Sequence, residues 1–160
     1  MTELFANQRH INLTSTILMI EQALRGLGHD PAGCRLEQNG DDEATWEFRH
    51  GSALTRIELA KDQGHGQGAF LRVASILMTL DAAVDRLSLY THLLALNRKL
   101  HGLTLAVDEE RVELAAERPS RDLDRSEIDD LLSRVSRRAD ELDDELVARF
   151  GGRHGAGDVR

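Results

Sequence analysis

Histidine is the residue type in this sequence with the clearest potential for metal or acid–base chemistry. Seven histidines occur, at positions 10, 29, 50, 65, 92, 101 and 154. Zinc sites need ligands at short, fixed spacings, such as HExxH or His-x-His, and neither these pairs nor a cysteine cluster is present. We therefore expect the histidines to occupy surface or capping positions, and we predict no metal site.

Acidic side chains are also concentrated near the carboxyl end, where they could hold a divalent cation. They are Asp140, Glu141, Asp143, Asp144 and Glu145. On a helix these residues spread around a polar arc, whereas an EF-hand needs a loop with a central glycine. We expect a solvated helix face that includes Asp143, with its charge offset by arginines at helical spacing, as in Arg137 and Glu141.

Two further patterns associated with catalysis or cofactors are incomplete. Gly64–Gly68 (GHGQG) resembles a phosphate-binding loop, but it lacks the GxxxxGK[ST] order and no helix is predicted to follow it. No serine lies in a G-x-S-x-G elbow. The sequence therefore predicts no catalytic residue, no cofactor and no enzymatic activity.

The single cysteine and the amino-terminal residues bear on location. Cys34 cannot form a disulfide within the chain, which fits a reducing compartment, and we expect it to be a small buried apolar residue. The amino terminus lacks the apolar core of a signal peptide, and no run approaches the roughly 18 apolar residues of a membrane span. We predict a cytoplasmic protein without a membrane partner.

Charge is distributed unevenly along the chain. The net charge is −8, and Asp108–Phe150 accounts for −7 of it, with 15 acidic and 8 basic side chains. An acidic region of this kind argues against a nucleic-acid partner, because phosphates attract a basic surface. It suits solubility or a basic partner segment.

The clearest predicted element is a long helix over Asp124–Phe150. Asp124 and Glu127 have the spacing of a capping box, and Gly151-Gly152 would end the helix. Its apolar residues recur at spacings of three and four along one seam: Ile128, Leu132, Val135, Ala139, Leu142 and Leu146. Such a seam must be covered, either by the domain's own sheet or by a second chain.

A second helix, predicted over Asp85–Leu100, is apolar around more of its circumference. Leu89, Leu93 and Leu96 form one row, and Tyr90 and Leu94 belong to a second row beside it. A helix this apolar is covered on more than one side. It is therefore either central in the domain or shared across an interface.

The remaining pattern predicts a helix over Leu13–Leu27 and six strands. The strands are Cys34–Gln38, Ala44–Arg49, residues 54–59, Ala69–Met78, Leu103–Val107 and Val112–Ala116. Short turns between strands favour antiparallel pairing. We predict an α+β fold, an antiparallel sheet with helices packed on it in the order α-β-β-β-β-α-β-β-α, as one domain over residues 1–152. Residues 153–160 are predicted to be a flexible tail.

This order, with its closing run, resembles the YbjN family, whose fold is that of the class I type III secretion chaperones. The matching stretches are YTHLLALNRKL in the central helix, LTLAV and RVEL in the following strand pair, and DELDDEL ending in RFGG. The resemblance covers roughly residues 13–150. It implies a non-enzymatic, usually homodimeric protein whose dimer surface holds an extended stretch of a client protein against apolar patches.

The leading hypothesis is therefore a chaperone-like, homodimeric protein-binding module. The candidate residues for partner binding or dimerisation are Trp46, Phe48, Leu89, Leu93 and Leu96. For Trp46 and Phe48, a place in the core is the alternative. Two other functions stay open: a small-molecule-sensing or enzymatic α+β domain, and a structural subunit of a larger assembly.

Overall fold

The computed structural model describes residues 2–36, 43–61 and 69–155, and side chains are considered from Leu13 onward, except Lys61. Its helices and strands follow the chain in this order: α1 (Thr2–Gly26), α2 (Pro31–Cys34), β1 (Ala44–His50), β2 (Ala53–Lys61), β3 (Ala69–Thr79), α3 (Arg86–Asn97), β4 (Thr104–Asp108), β5 (Arg111–Pro119), α4 (Arg125–Phe150) and β6 (Arg153–His154). The sheet has the strand order β1-β2-β3-β5-β4, and β6 pairs with β3. The predicted α+β class is confirmed.

The chain divides into two compact units. The first comprises residues 1–48, 56–72 and 117–133, and the second comprises residues 49–55, 73–116 and 134–160. The prediction of one domain over residues 1–152 stays a prediction. Within the described residues, no helix is long and apolar enough to cross a membrane.

In the first unit, α1 supplies apolar side chains to the core. Ile20 and Leu24 are fully buried, as the predicted periodicity requires. The helix begins at Thr2, well before the predicted start at Leu13, and it ends before Gly28, whose φ of +88° is one that L-residues with a Cβ adopt poorly.

The predicted strand at Cys34–Gln38 is wrong at its first residue. Cys34 ends the short helix α2, for which Pro31 occupies the first turn and the Asp30 side chain accepts a hydrogen bond from the Ala32 amide. The fixed φ of proline and this cap favour a helical turn over a strand. Arg35 alone forms a bridge, with Trp46, and residues 37–42 lie outside the described part. Cys34 is half-buried, and burial raises the pKa of its thiol.

In the second unit, α3 leads into the β4–β5 hairpin. Asp85 caps α3, since its carboxylate accepts from both the amide and the hydroxyl of Ser88, and these bonds lower the pKa of Asp85. β4 and β5 pair antiparallel, with Leu105 opposite Leu114. Leu105 and Leu114 are both buried, as the alternation of the predicted strands requires.

Helix α4 confirms the predicted capping box. The Glu127 amide donates to Asp124 Oδ1 at 2.9 Å, and the Asp124 amide donates to Glu127 Oε2 at 3.2 Å. Every residue of the predicted seam is fully buried in the single chain. The seam is therefore covered by the chain itself, without a second copy.

Two predictions about the carboxyl-terminal region need correction. Asp143 is only 2% exposed and does not belong to a solvated face, because it follows Ala139 by one helical turn and so lies beside the seam. The predicted tail does not fray at its first residues: Arg153 and His154 pair with Thr79 and Met78 of β3. Residues 156–160 lie outside the described part.

Candidate partner-binding site

The outer face of α3 presents large apolar side chains to solvent. Leu87 is 79% exposed and Leu94 is 69% exposed, and the two lie seven residues apart, which places them on one side of the helix. Leu89 and Leu93 point the other way and are buried. A helix that is buried on one side and apolar on the other fits the predicted need for a second covering surface.

Each end of this α3 face carries a different charge. Asp81 and Asp85 are exposed at its amino-terminal end, and Arg98 and Lys99 are exposed at its carboxyl-terminal end. Leu94, Ala95, Arg98 and Lys99 line an open depression. Such a hollow, shared by apolar and cationic side chains, offers a contact surface for a protein rather than the enclosed pocket that a small molecule requires.

The structure places the five predicted binding residues mainly in the core. Trp46, Phe48, Leu89 and Leu93 are buried in the single chain, and Leu96 is half-buried. The exposed apolar residues of α3, Leu87 and Leu94, were not among the predicted site residues. Their seven-residue spacing on the face opposite the buried row is the sequence signal that could have identified them.

Trp46 lies beneath polar side chains in the first unit. The Arg35 guanidinium carbon is 5.4 Å from the centre of the Trp46 ring, and Arg35 Nη1 is 3.1 Å from Glu21 Oε1. Among the described side chains of this unit, the large apolar ones that are exposed are Leu18, at 53%, and Leu36, at 37%. Trp46, by contrast, is fully buried.

Two of the histidines pack against phenylalanine rings. His29 lies 5.0 Å from Phe48 in the first unit, and His92 lies 5.4 Å from Phe150 in the second, measured between ring centres. His92 Nδ1 lies 3.2 Å from Arg149 Nη1. These contacts give His29 and His92 packing roles.

The turn between β1 and β2 is anchored to α4 by acidic side chains. Ser52 donates its amide to Asp140 Oδ1 at 2.7 Å, and its Oγ lies 3.0 Å from the same oxygen and 2.8 Å from Asp143 Oδ2. The hydrogen bonds from Ser52 lower the pKa of Asp140. Burial raises the pKa of Asp143.

Three side chains of the types that bind metals lie close together near this anchor, namely Asp143, Asp144 and His154. One potential ligand atom from each lies within 4.8 Å of those of the other two. Asp143 already forms hydrogen bonds at both oxygens, with the Ser52 hydroxyl and with the Asp144 amide, and the other two side chains are exposed. Exposed acidic groups of this kind are common on protein surfaces. We assign no metal to them.

No curated protein matches the chain. Among solved structures, the chain is similar to that in the crystal structure of the ExsC–ExsE complex, with a TM-score of 0.58 and 14% sequence identity over 84% of this chain and 95% of that chain. At this identity the likeness concerns the fold alone.

The sequence itself matches a family model over most of its length. The model, TY-Chap1, is described as "T3SS (YopN, CesT) and YbjN peptide-binding chaperone 1", and it matches residues 18–158. This match confirms the predicted resemblance to YbjN proteins and type III secretion chaperones. The chain belongs to the TY-Chap1 family of peptide-binding chaperones.

Proposed function

We propose that this protein is a non-enzymatic, cytoplasmic chaperone that acts as a homodimer and holds an extended segment of a partner protein. Membership of a peptide-binding chaperone family supports the general function. The observation that carries the homodimer is the exposure of Leu87 and Leu94 on α3, a helix whose opposite face is buried in its own chain. Burying two such leucines stabilises an interface by roughly 1.5–3 kcal/mol each.

The charges on α3 favour a second copy of the chain as the occupant of this face. If two α3 helices pair antiparallel about a two-fold axis, Arg98 and Lys99 of one copy approach Asp81 and Asp85 of the other. The leucines of both copies then meet between these charged ends. An isologous interface needs a self-complementary patch of this kind.

The proposed partner segment is extended, apolar and basic. The structurally similar ExsC is found in a complex with another protein, ExsE, which is a precedent for a protein partner in this fold. The charge of −7 over Asp108–Phe150 would attract basic residues, and electrostatic attraction chiefly raises the association rate. Among the described residues of the first unit, Leu18 and Leu36 are the large exposed apolar side chains available to hold such a segment.

Light scattering at micromolar concentration tests the homodimer. We expect twice the chain mass of 17.8 kDa for the wild type. The double variant Leu87→Glu/Leu94→Glu should give the mass of one chain with an unchanged far-UV CD spectrum, because it places like charges in the interface. The matched control is Leu18→Glu/Leu36→Glu, which introduces the same two charges at exposed leucines outside α3 and should remain dimeric. A wild-type protein of single-chain mass would refute the homodimer.

Partner binding needs a separate measurement. Proteins captured from the native host are identified by mass spectrometry, and overlapping peptides from them are titrated against the purified chain. We expect one extended peptide to bind, and Leu18→Glu/Leu36→Glu to weaken its binding without changing the dimer mass. If no peptide from any captured protein binds the purified chain, holding of an extended segment is wrong.

A further inference from the structure

The anchor between the β1–β2 turn and α4 contains one hydrogen atom too few if both of its carboxyl groups are ionised. Ser52 Oγ lies within hydrogen-bonding distance of Asp140 Oδ1, at 3.0 Å, and of Asp143 Oδ2, at 2.8 Å. A hydroxyl group has a single hydrogen to donate, and an ionised carboxylate has none. If Ser52 Oγ forms hydrogen bonds with both Asp140 Oδ1 and Asp143 Oδ2, one of the two carboxyl groups must therefore carry a proton.

The surrounding hydrogen bonds decide where that proton lies. Asp140 Oδ1 also accepts the Ser52 amide at 2.7 Å, so it is an acceptor and favours the ionised form. Asp143 Oδ1 accepts the Asp144 amide at 2.7 Å, which leaves Oδ2 free to carry a hydrogen. The order of donation is then Asp143 Oδ2 to Ser52 Oγ, and Ser52 Oγ to Asp140 Oδ1.

We propose that Asp143 is protonated in the folded protein and that this proton makes the anchor of the β1–β2 turn on α4 sensitive to pH. The anchor holds when Asp143 donates to Ser52. It loosens when the proton is lost, because two carboxylates then compete for one hydroxyl hydrogen at close range.

The charged groups around Asp143 act in opposite directions. Asp140 and Asp144 are its acidic neighbours on α4, and the charge of Asp144 raises the pKa of Asp143, whereas His154 lowers it. His154 on β6 has its Nδ1 3.9 Å from Asp143 Oδ2, and His50, at the end of β1, acts on Asp140. Asp143 itself is 2% exposed, and burial raises its pKa above the ordinary value for aspartate.

A raised pKa in the folded state fixes the sign of the pH dependence. Asp143 binds its proton more tightly when folded than when unfolded, so its stabilising contribution is fully present below the unfolded pKa. That contribution is lost as the pH rises through the folded pKa. Asp140, whose pKa is lowered, has the opposite dependence and stops contributing as the pH falls through its own folded pKa.

The direct test is an NMR titration of the aspartate side-chain carboxyl carbons in the full, isotopically labelled chain, with a chelator present. We expect the carboxyl carbon of Asp143 to titrate at a higher pH than that of Asp140, whose pKa is lowered. Titration of Asp143 at or below the midpoint of Asp140 would overturn the proposal.

A variant pair supplies the functional readout. Asp143→Asn keeps a donor toward Ser52 but cannot ionise, whereas Asp144→Asn removes an exposed neighbouring charge that does not contact Ser52. We expect the urea midpoint of the wild type to fall relative to Asp143→Asn as the pH rises through the Asp143 titration, and Asp144→Asn to follow the wild type. Parallel profiles for the wild type and Asp143→Asn would overturn the pH-sensitive anchor. If Asp143→Asn does not fold, the wild-type titration alone decides.

Discussion

The side-chain amide of Asn97 forms two hydrogen bonds with the backbone of Leu105. Asn97 Nδ2 donates to the Leu105 carbonyl at 3.0 Å, and the Leu105 amide donates to Asn97 Oδ1 at 2.7 Å. β4 is the last strand in the sheet order, and both of these Leu105 groups point away from β5. Asn97 therefore pairs with these two backbone groups as a neighbouring strand would. Unpaired amide and carbonyl groups on an edge strand can pair with another chain, and Asn97 prevents this at Leu105.

Replacing Asn97 should be costly for this reason. Asn97→Leu has a similar volume but leaves the Leu105 amide and carbonyl without partners at a part-buried position. We expect a loss of about 1–3 kcal/mol in the free energy of unfolding for each group that water cannot reach. Urea melts measure the loss, and Lys99→Ala, at an exposed position two residues on, is the control. Equal midpoints for the two variants would show that Asn97 is not needed at this edge.

The role of Asn97 illustrates how far the sequence could predict this structure. The stretch YTHLLALNRKL includes Asn97 and correctly suggested the family, but no local pattern identifies its partner, which lies on the next strand. Elements whose signal repeats along one helix, such as the α4 seam, were predicted at the correct residues. Contacts between elements, such as those of Asn97, were not.

The errors have similar causes. The prediction of a strand at Cys34 was based on the alternation of Cys34 and Leu36. It gave too little weight to Asp30-Pro31, which starts a short helix. Asp143 was placed on a polar face from its residue type, although its position one turn after Ala139 puts it beside the seam. The exposed leucines of α3 were missed because an apolar residue is ordinarily expected inside the protein.

The α4 seam gives a second prediction. Leu142 is fully buried between Ala139 and Leu146, so Leu142→Ala removes packed methyl groups and leaves a cavity. We expect a cost of roughly 2–5 kcal/mol. The neighbouring Asp143 cannot serve as the control because it is buried. The exposed Asp144 can, and Asp144→Ala should stay within about 0.5 kcal/mol.

Urea melts of the two variants decide this prediction. If Leu142→Ala left the midpoint unchanged while weakening peptide capture, the seam would face a partner groove rather than the core of the chain. The position of α4 described here would then be wrong.

A third prediction concerns Gly51, which allows Asp140 to approach the β1–β2 turn. Gly51 has a φ of +57°, and a Cβ at this position would lie 1.9 Å from Asp140 Oδ1. Gly51→Ala therefore strains the backbone and displaces the carboxylate from Ser52. In the Asp140→Ala background only the backbone strain remains, so a double-mutant cycle should give a coupling of about 0.5–3 kcal/mol. Additive effects would mean that Asp140 does not occupy this position in solution.

The last prediction concerns how β6 is held against β3. The Gly155 amide donates to the Leu77 carbonyl at 3.0 Å, and a Cβ on Gly155 would lie 2.1 Å from the Ile76 carbonyl oxygen. Because that oxygen belongs to the backbone of a central strand, it cannot move aside, and Gly155→Ala must displace β6. Arg153 would then leave its pairing with Thr79, and trypsin, which cleaves after arginine in extended and mobile segments, should cut there faster. Mass spectrometry of the digest measures this rate, and cleavage after the exposed Arg121 in the same sample is the internal control. Because β6 contributes only two exposed residues to the sheet, we expect the thermal midpoint to change little. An unchanged rate of cleavage after Arg153 would show that β6 is not held by this close approach to Ile76.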